Sequence, residues 1–478
     1  MSRAKKVIKN LFSLTVADVA SKGIVFITTT YLARVLQPDG FGIIGYANSF
    51  VAYFLIFVNL GFNIFGVREV SKSPFTQNIK NYVNNIVTIR GAFAVISYFL
   101  FFLIILFIDK PEEVKFVLLI TGFNLFSNAL MLDWVFIGLE RMEIQAIRQL
   151  ITGTLNLIGI YIFVNERTDT ALAATIFVIA TAVNACWIFL YYLKLYKNFR
   201  FELNFSLWKR ILKSSFPIGL TNLSVILYSS FSILILGFFR TYYETGVYDA
   251  AFRFYSLTMM PIGIIQGAFL PLLSRSSELG EKQAVMEKYN TLLFLVGAIV
   301  CGSIFTFSEP FSNIVFGDKF IETGWILKFL MLSSMLAFFN QGHLMALSAW
   351  NRENLVLKCI AVSGLASVAL NLIFTPIYGT IAAASISVFC EFLTVILFSI
   401  FTYKLLKKFY FFKLLKFVGI SAIASLLGYI AFKNGVHSIF SAFLSFSIYI
   451  LFIIKMKIVN LQEVISYFKK KEKTANEI

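Results

Sequence analysis

The chain has 478 residues and a net charge of +17, and it is 58% hydrophobic against 14% charged. So much apolar surface excludes a soluble domain of this length and calls for many spans of about 20 apolar residues each. Backbone donors in lipid must be satisfied inside each segment, and runs such as YFLFFLIILFI (98–108) lack the alternation of a membrane barrel strand, so the expected fold class is an all-α polytopic membrane protein.

In chain order, a basic start, MSRAKKVIKN, precedes an apolar stretch with no small-residue cleavage site, which reads as a retained first span. Apolar runs between polar breaks then predict fourteen spans, near 12–33, 42–64, 84–108, 114–137, 147–164, 171–193, 214–237, 246–272, 289–308, 325–348, 356–374, 380–402, 414–432 and 435–454. Pro261 and Pro271 interrupt the eighth, and the eleventh is short. The connection 194–213 is basic and amphipathic and divides the chain after six spans. The tail 455–473 places Ile458, Leu461, Ile465 and Phe468 on one helical face, as a helix lying on the inner leaflet does.

Of the 42 Lys and Arg, 31 fall in the set of connections that includes both termini, 8 in the opposite set and three within spans. The positive-inside rule therefore predicts that both termini are cytoplasmic. The net charge then faces anionic headgroups and requires no nucleic acid. The two halves repeat faintly: at an offset of 204, Gly42 matches Gly246, Ala47 matches Ala251 and Phe50 matches Phe254, and NLI recurs at 156–158 and 371–373. This predicts two pseudo-symmetric six-helix lobes around a central cleft (1–200 and 201–410), then two extra spans and a basic tail (411–478), an architecture transporters use.

No enzyme is expected. The chain has no phosphate-binding Gly-rich loop ending in Lys-Ser/Thr, and its two histidines, His343 and His437, lie far apart in positions that read as peripheral. Cys186, Cys301, Cys359 and Cys390 lack metal-ligand spacing and read as packing residues, so neither a metal nor a cofactor is predicted. The candidate functional residues are instead the charges inside spans: Asp18, Lys22, Arg90, Asp133, Asp249, Arg253 and Glu391. Each is costly in hydrocarbon, and such residues usually face a bundle interior or a watery cavity. Asp18/Lys22 and Asp249/Arg253 are spaced i,i+4, so either pair neutralises itself along one helix face. Arg90 and Asp133 read alternatively as a clasp between adjacent spans. On the functional reading Lys22, Arg90 and Arg253 converge on one polyanionic group. Asp249 and Glu391 are then the candidates for proton or Na⁺ coupling, Glu391 having no basic partner within four residues on its own helix.

The stretch YLARVLQPDGFGIIGYANSFVAYFLIFVNLGFNIFGVREVSKS (31–73) resembles the signature of Wzx-type bacterial polysaccharide flippases, the O-antigen and capsule transporters of the multidrug/oligosaccharidyl-lipid/polysaccharide superfamily. GVYDAAFRF (246–254), LPLLSRSS (270–277), NIVFGDKF (313–320) and NLIFTPIYGTIAAA (371–384) agree with it in order, so the resemblance covers most of residues 10–402. It implies a carrier of undecaprenyl-diphosphate-linked oligosaccharide from the inner to the outer leaflet of the bacterial cytoplasmic membrane. It also implies diphosphate contacts at Lys22, Arg90 and Arg253, and membrane lipids and other glycan-assembly proteins as partners. A drug or small-solute antiporter of the same superfamily is the alternative. The lipid II flippases of that superfamily carry a denser arginine set near the first spans than the Lys22 found here, and its drug exporters favour acidic cavities where these charges are mixed.

Overall fold

The computed structural model describes residues 3–72 and 75–456, with side chains from residue 20 onward except those of residues 228 and 229. The described residues form helices joined by short turns, with no strand among them. Twelve helical segments are long and apolar enough to cross a membrane, or thirteen with the bent pair Phe205–Leu227 and Phe231–Phe239, whose axes differ by 55°. The first of these, Ala20–Lys72, has 53 residues. At 1.5 Å per residue it is about 80 Å long, more than twice a hydrocarbon core of about 30 Å. It breaks at Gln37, whose backbone is non-helical (φ 58, ψ 179). Pro38 follows, which disfavours helical geometry in the residue before it and donates no hydrogen bond itself. Divided there, the segment supplies two spans and brings the number among the described residues to thirteen, or fourteen with the bent pair. The Asp18 side chain and the amphipathic tail from residue 457 on lie outside the described residues.

Contacts divide the chain into two compact units, Lys9–Gly246 and Val247–Ile478, the latter grouped with Met1–Ile8. The first unit has a core of Phe62, Val83, Ile86, Trp134, Phe136, Ile188 and Tyr192. Its fourth span is discontinuous, made of Glu112–Gly122, Asn124–Ala129 and Asp133–Gly138. Broken helices expose carbonyl groups that lipid cannot satisfy, and side chains must do so instead.

In the same unit the two glycines of the repeat meet. A Cβ on Gly42 would stand 2.7 Å from the Gly246 nitrogen and would overlap the Tyr242 carbonyl oxygen. A Cβ on Gly246 would overlap the carbonyl of Pro38. The contact is reciprocal, since each glycine meets the residue four positions before the other, so only glycine fits at this crossing. Beside it, Lys110 Nζ donates 2.9 Å hydrogen bonds to the carbonyls of Gly237 and Phe238, at the end of helix Phe231–Phe239. The ammonium faces the rings of Tyr46 and Tyr242 at 5.9 and 5.4 Å. Burial lowers the affinity of Lys110 for its proton, opposed by the neighbouring Asp109.

The second unit is built around helix Thr323–Ala349, most of whose apolar residues are buried. It packs between Leu279–Thr306 and Thr380–Leu406, while Phe411–Lys433 and Ser438–Lys455 pack on each other and on Leu279–Thr306. His343, expected at the periphery, is 1% exposed and stacks on Phe339 with ring centroids 4.1 Å apart. One turn separates the two, and its Nδ1 bonds the Phe339 carbonyl, so an aromatic neighbour and a backbone acceptor make the interior tolerable for it. Cys301, Cys359 and Cys390 are buried as packing residues are, but Cys186 is exposed.

Candidate functional site

Arg90 lies in helix Thr76–Phe107 and is 1% exposed. Its guanidinium is spent on neutral oxygens. Nη1 donates to the Met131 carbonyl (2.9 Å) and to Asn63 Oδ1 (3.4 Å). Nη2 donates to Asn59 Oδ1 (2.6 Å) and to the Asn128 carbonyl. Asn128 and Met131 flank the break in the fourth span, so Arg90 supplies donors where the helix cannot. The expected clasp with Asp133 is not a direct ion pair. Asp133 Oδ1 instead lies 2.7 Å from Arg148 Nε. The reason is reach: Arg148 sits on the adjacent helix Met142–Phe163, whereas the arginine at 90 is already committed to the broken span.

Lys22 is half-buried on the first helix. That helix packs there on Met142–Phe163: Ser21 Oγ bonds the Gln149 carbonyl at 3.5 Å, and a Cβ on Gly153 would touch Ile24 at 3.4 Å. A cavity of about 340 Å³ in the same unit is lined by Ala52, Leu55, Ile56, Asn59, Asn222 and Val225, among others. Asn59, which holds Arg90, therefore also faces this cavity.

In the second unit the i,i+4 spacing does what it predicts. Arg253 Nε and Nη2 both lie 3.0 Å from Asp249 Oδ2, with the acid side chain 8% and the base 28% exposed. The acid is enclosed and the cation, though held, reaches the surface. Glu391 is 4% exposed and is not left alone. Asn340 Nδ2 donates to its Oε2 at 2.6 Å and to its backbone carbonyl at 3.1 Å, and the Tyr255 hydroxyl lies 3.4 Å from Oε1. The absence of a basic partner on its own helix thus misses partners on two neighbouring helices, Tyr242–Thr258 and Thr323–Ala349. Around it, Tyr248 bonds Ser387 at 3.0 Å and Thr258 bonds Ser334 at 2.7 Å, so a polar seam runs through this unit.

The sequence reading missed Arg148, Asn59, Asn63, Asn128, Asn340 and Tyr255. Asparagines inside apolar runs were the available signal, because an amide in lipid needs a partner as a charge does. A second, mainly apolar cavity of about 460 Å³ lies among helices Leu279–Thr306, Thr323–Ala349 and Phe411–Lys433, with Lys328, Ser421, Ser425 and Tyr429 among its lining residues. The described residues hold no cluster of metal-ligating side chains.

Continuous apolar helices, a pair of compact units and charges held inside them describe a multi-pass membrane protein. A family model described as "Polysaccharide biosynthesis protein" matches residues 7–277. The chain belongs to this polysaccharide biosynthesis family. It is 24% identical over 393 residues, 79% of this chain and 92% of the relative, to a protein of Escherichia coli K12 named "Putative O-antigen transporter". In fold it is similar to a solved lipid II flippase, MurJ, in an inward closed conformation: TM-score 0.77, 13% identity, 94% of this chain and 99% of that one. An inward-facing multidrug resistance MATE transporter is also similar, with TM-score 0.61, 13% identity, and coverage of 79% of this chain and 92% of the other. The family resemblance read from the motifs is thereby established, and the fold is one that transporters use rather than an enzyme scaffold.

Proposed function

We propose that this chain carries undecaprenyl-diphosphate-linked oligosaccharide repeat units from the inner to the outer leaflet of the bacterial cytoplasmic membrane by ion-coupled alternating access, with both termini cytoplasmic. The observation that carries the reading is the Asp249–Arg253 pair in a chain of this family: a cation kept inside a membrane helix, neutralised by an enclosed acid, yet 28% exposed. A structural arginine is spent on its surroundings, as Arg90 is. Arg253 retains surface with which to meet a diphosphate, whose oxygens suit a planar guanidinium. Lys22 is assigned the same role on the first helix, and Arg90 that of a tie. The oligosaccharide needs such a carrier because its hydroxyls would lose their water partners in hydrocarbon. The named O-antigen transporter and the lipid II flippase among the similar proteins support this substrate class.

The test is flipping of a lipid-linked oligosaccharide in proteoliposomes. The double variant Asp249→Asn/Arg253→Gln keeps a hydrogen-bonding pair and removes both charges. It is expected to fold and to lose transport. Lys22→Ala is expected to abolish surface glycan in cells while the protein stays inserted, with Lys22→Arg partly tolerated. Full glycan output from both variants overturns the reading. The similarity to a multidrug transporter favours drug antiport as the second reading. That reading predicts altered drug tolerance with normal glycan on deletion of the gene.

A further inference from the structure

Between helices Thr170–Tyr196 and Phe205–Ser229 the chain runs as a non-helical strap, residues 197–204. Glu202 faces the protein, where Asn84 Nδ2 and Asn85 Nδ2 donate to its two oxygens at 2.8 Å each. The backbone is tied down on the same side: Arg200 N–H bonds Asn84 Oδ1 at 3.2 Å and Glu202 N–H bonds Thr88 Oγ1 at 3.3 Å. Just beyond the strap, Trp208 Nε1 closes the clamp on Asn85 Oδ1 at 3.0 Å. Phe201, Leu203 and Phe205 are instead exposed, at 77%, 67% and 71%. Non-helical backbone tied to the protein around Glu202 thus presents Phe201, Leu203 and Phe205 to the surroundings.

The level of the strap follows from its anchor. Helix Thr76–Phe107 has 32 residues. About 20 of them, counted back from Phe107, fill the hydrocarbon core and end near Thr88. The anchor residues Asn84, Asn85 and Thr88 therefore mark the hydrocarbon–headgroup boundary. Non-helical backbone is not tolerated deeper in lipid, which agrees with that level. Charge identifies the partner: Lys197, Arg200, Lys209 and Lys213 are exposed and form no ion pair among the described residues.

We propose that residues 197–213 are an interfacial anchor for an anionic lipid surface, Phe201, Leu203 and Phe205 entering the acyl–headgroup boundary while Lys197, Arg200, Lys209 and Lys213 take lipid phosphates. Snorkelling lets the long basic side chains reach headgroups while the rings lie deeper. The anchor fixes the depth of helix Thr76–Phe107, and through it of Arg90, in the bilayer. It does not depend on which substrate the protein carries.

The test is the membrane depth of a nitroxide at Phe201→Cys in the full chain, with Cys186, Cys301, Cys359 and Cys390 replaced by Ala. In vesicles containing phosphatidylglycerol the label is expected about 5–10 Å below the phosphates, accessible to oxygen and shielded from a nickel chelate. Nickel accessibility equal to that of a water-exposed loop overturns the proposal, and so does shielding from both reagents, which means protein covers the strap. In phosphatidylcholine alone the label is expected shallower. The Lys197/Arg200/Lys209/Lys213→Gln variant is expected to lose this lipid dependence. If added inorganic phosphate reproduces the effect of phosphatidylglycerol, the basic residues bind free phosphate and the lipid assignment fails. If the cysteine-free chain does not fold, Phe201→Trp against wild type in brominated lipid reads the same depth as extra quenching, whose absence overturns the proposal.

Discussion

Arg90 and Arg253 show how differently one side chain is used at two places in a membrane. Arg90 has four neutral oxygens around it and almost no surface, whereas Arg253 is held by an acid and is 28% exposed. Side-chain hydrogen bonds in membrane proteins are worth about 0.6 kcal/mol on average. Four of them make Arg90→Ala destabilising by roughly 2–3 kcal/mol. Arg90→Lys, whose ammonium has three donors and a different shape, is expected to lose about half as much. The check is the thermal unfolding midpoint in detergent, where both variants should fall and the alanine fall further. An unchanged midpoint for Arg90→Ala would remove the structural role and return Arg90 to the ligands. The presence of these charges was legible in the sequence because ionisable residues stand out in apolar runs. Their partners were not. Asn59, Asn128 and Met131 are brought to Arg90 by packing and by a break in another span, and no spacing along one helix encodes that.

At the scale of elements, the spans follow from apolar run length, while their interruptions depend on local chemistry. The break at Gln37 was readable from Pro38, and the i,i+4 geometry of Asp249 and Arg253 from the helical repeat. The three-piece fourth span carries no proline within residues 112–138 and gave no such warning. The glycine match at an offset of 204 was visible as a pattern, and its physical content is the crossing at which the two backbones touch. Gly42→Ala and Gly246→Ala are each expected to cost about 1–3 kcal/mol through overpacking, because the obstructing atoms are backbone and cannot swing aside. Lowered midpoints and reduced flipping of both variants would support this, and wild-type values in both would show that the crossing yields. Lys110→Met tests the neighbouring cap. It retains the apolar stem, removes the two bonds to the Gly237 and Phe238 carbonyls and removes a cation from a helix C-terminus. From the bond and dipole contributions the loss is about 1–2 kcal/mol. The midpoint should fall by less than in Gly42→Ala.

For the whole molecule the question is what resets the carrier. A diphosphate bears about two negative charges, and in a membrane negative inside, each is driven outward by roughly 2.3 kcal/mol per 100 mV. Protein cations that move with the substrate cancel much of that drive, so the return of the empty carrier needs a second coupled charge. Glu391 is placed to supply it. Its carboxyl group is enclosed, and Asn340 and Tyr255 lie within hydrogen-bond distance of it. Both are neutral donors that stabilise the carboxylate, whereas Asp249 is held in an ion pair with Arg253. Occupancy of Glu391 by a proton or Na⁺ can therefore change as its enclosure changes, and any ion that binds the two states differently biases them by that difference. The expected outcome in proteoliposomes is that an imposed pH or Na⁺ gradient accelerates flipping by wild type. Glu391→Gln keeps a group that accepts from Asn340 but cannot titrate, so its rate should no longer respond to the gradient. If wild type ignores both gradients, ion coupling is absent. If Glu391→Gln responds as wild type does, coupling passes to Asp249, and Asp249→Asn becomes the variant whose response is lost.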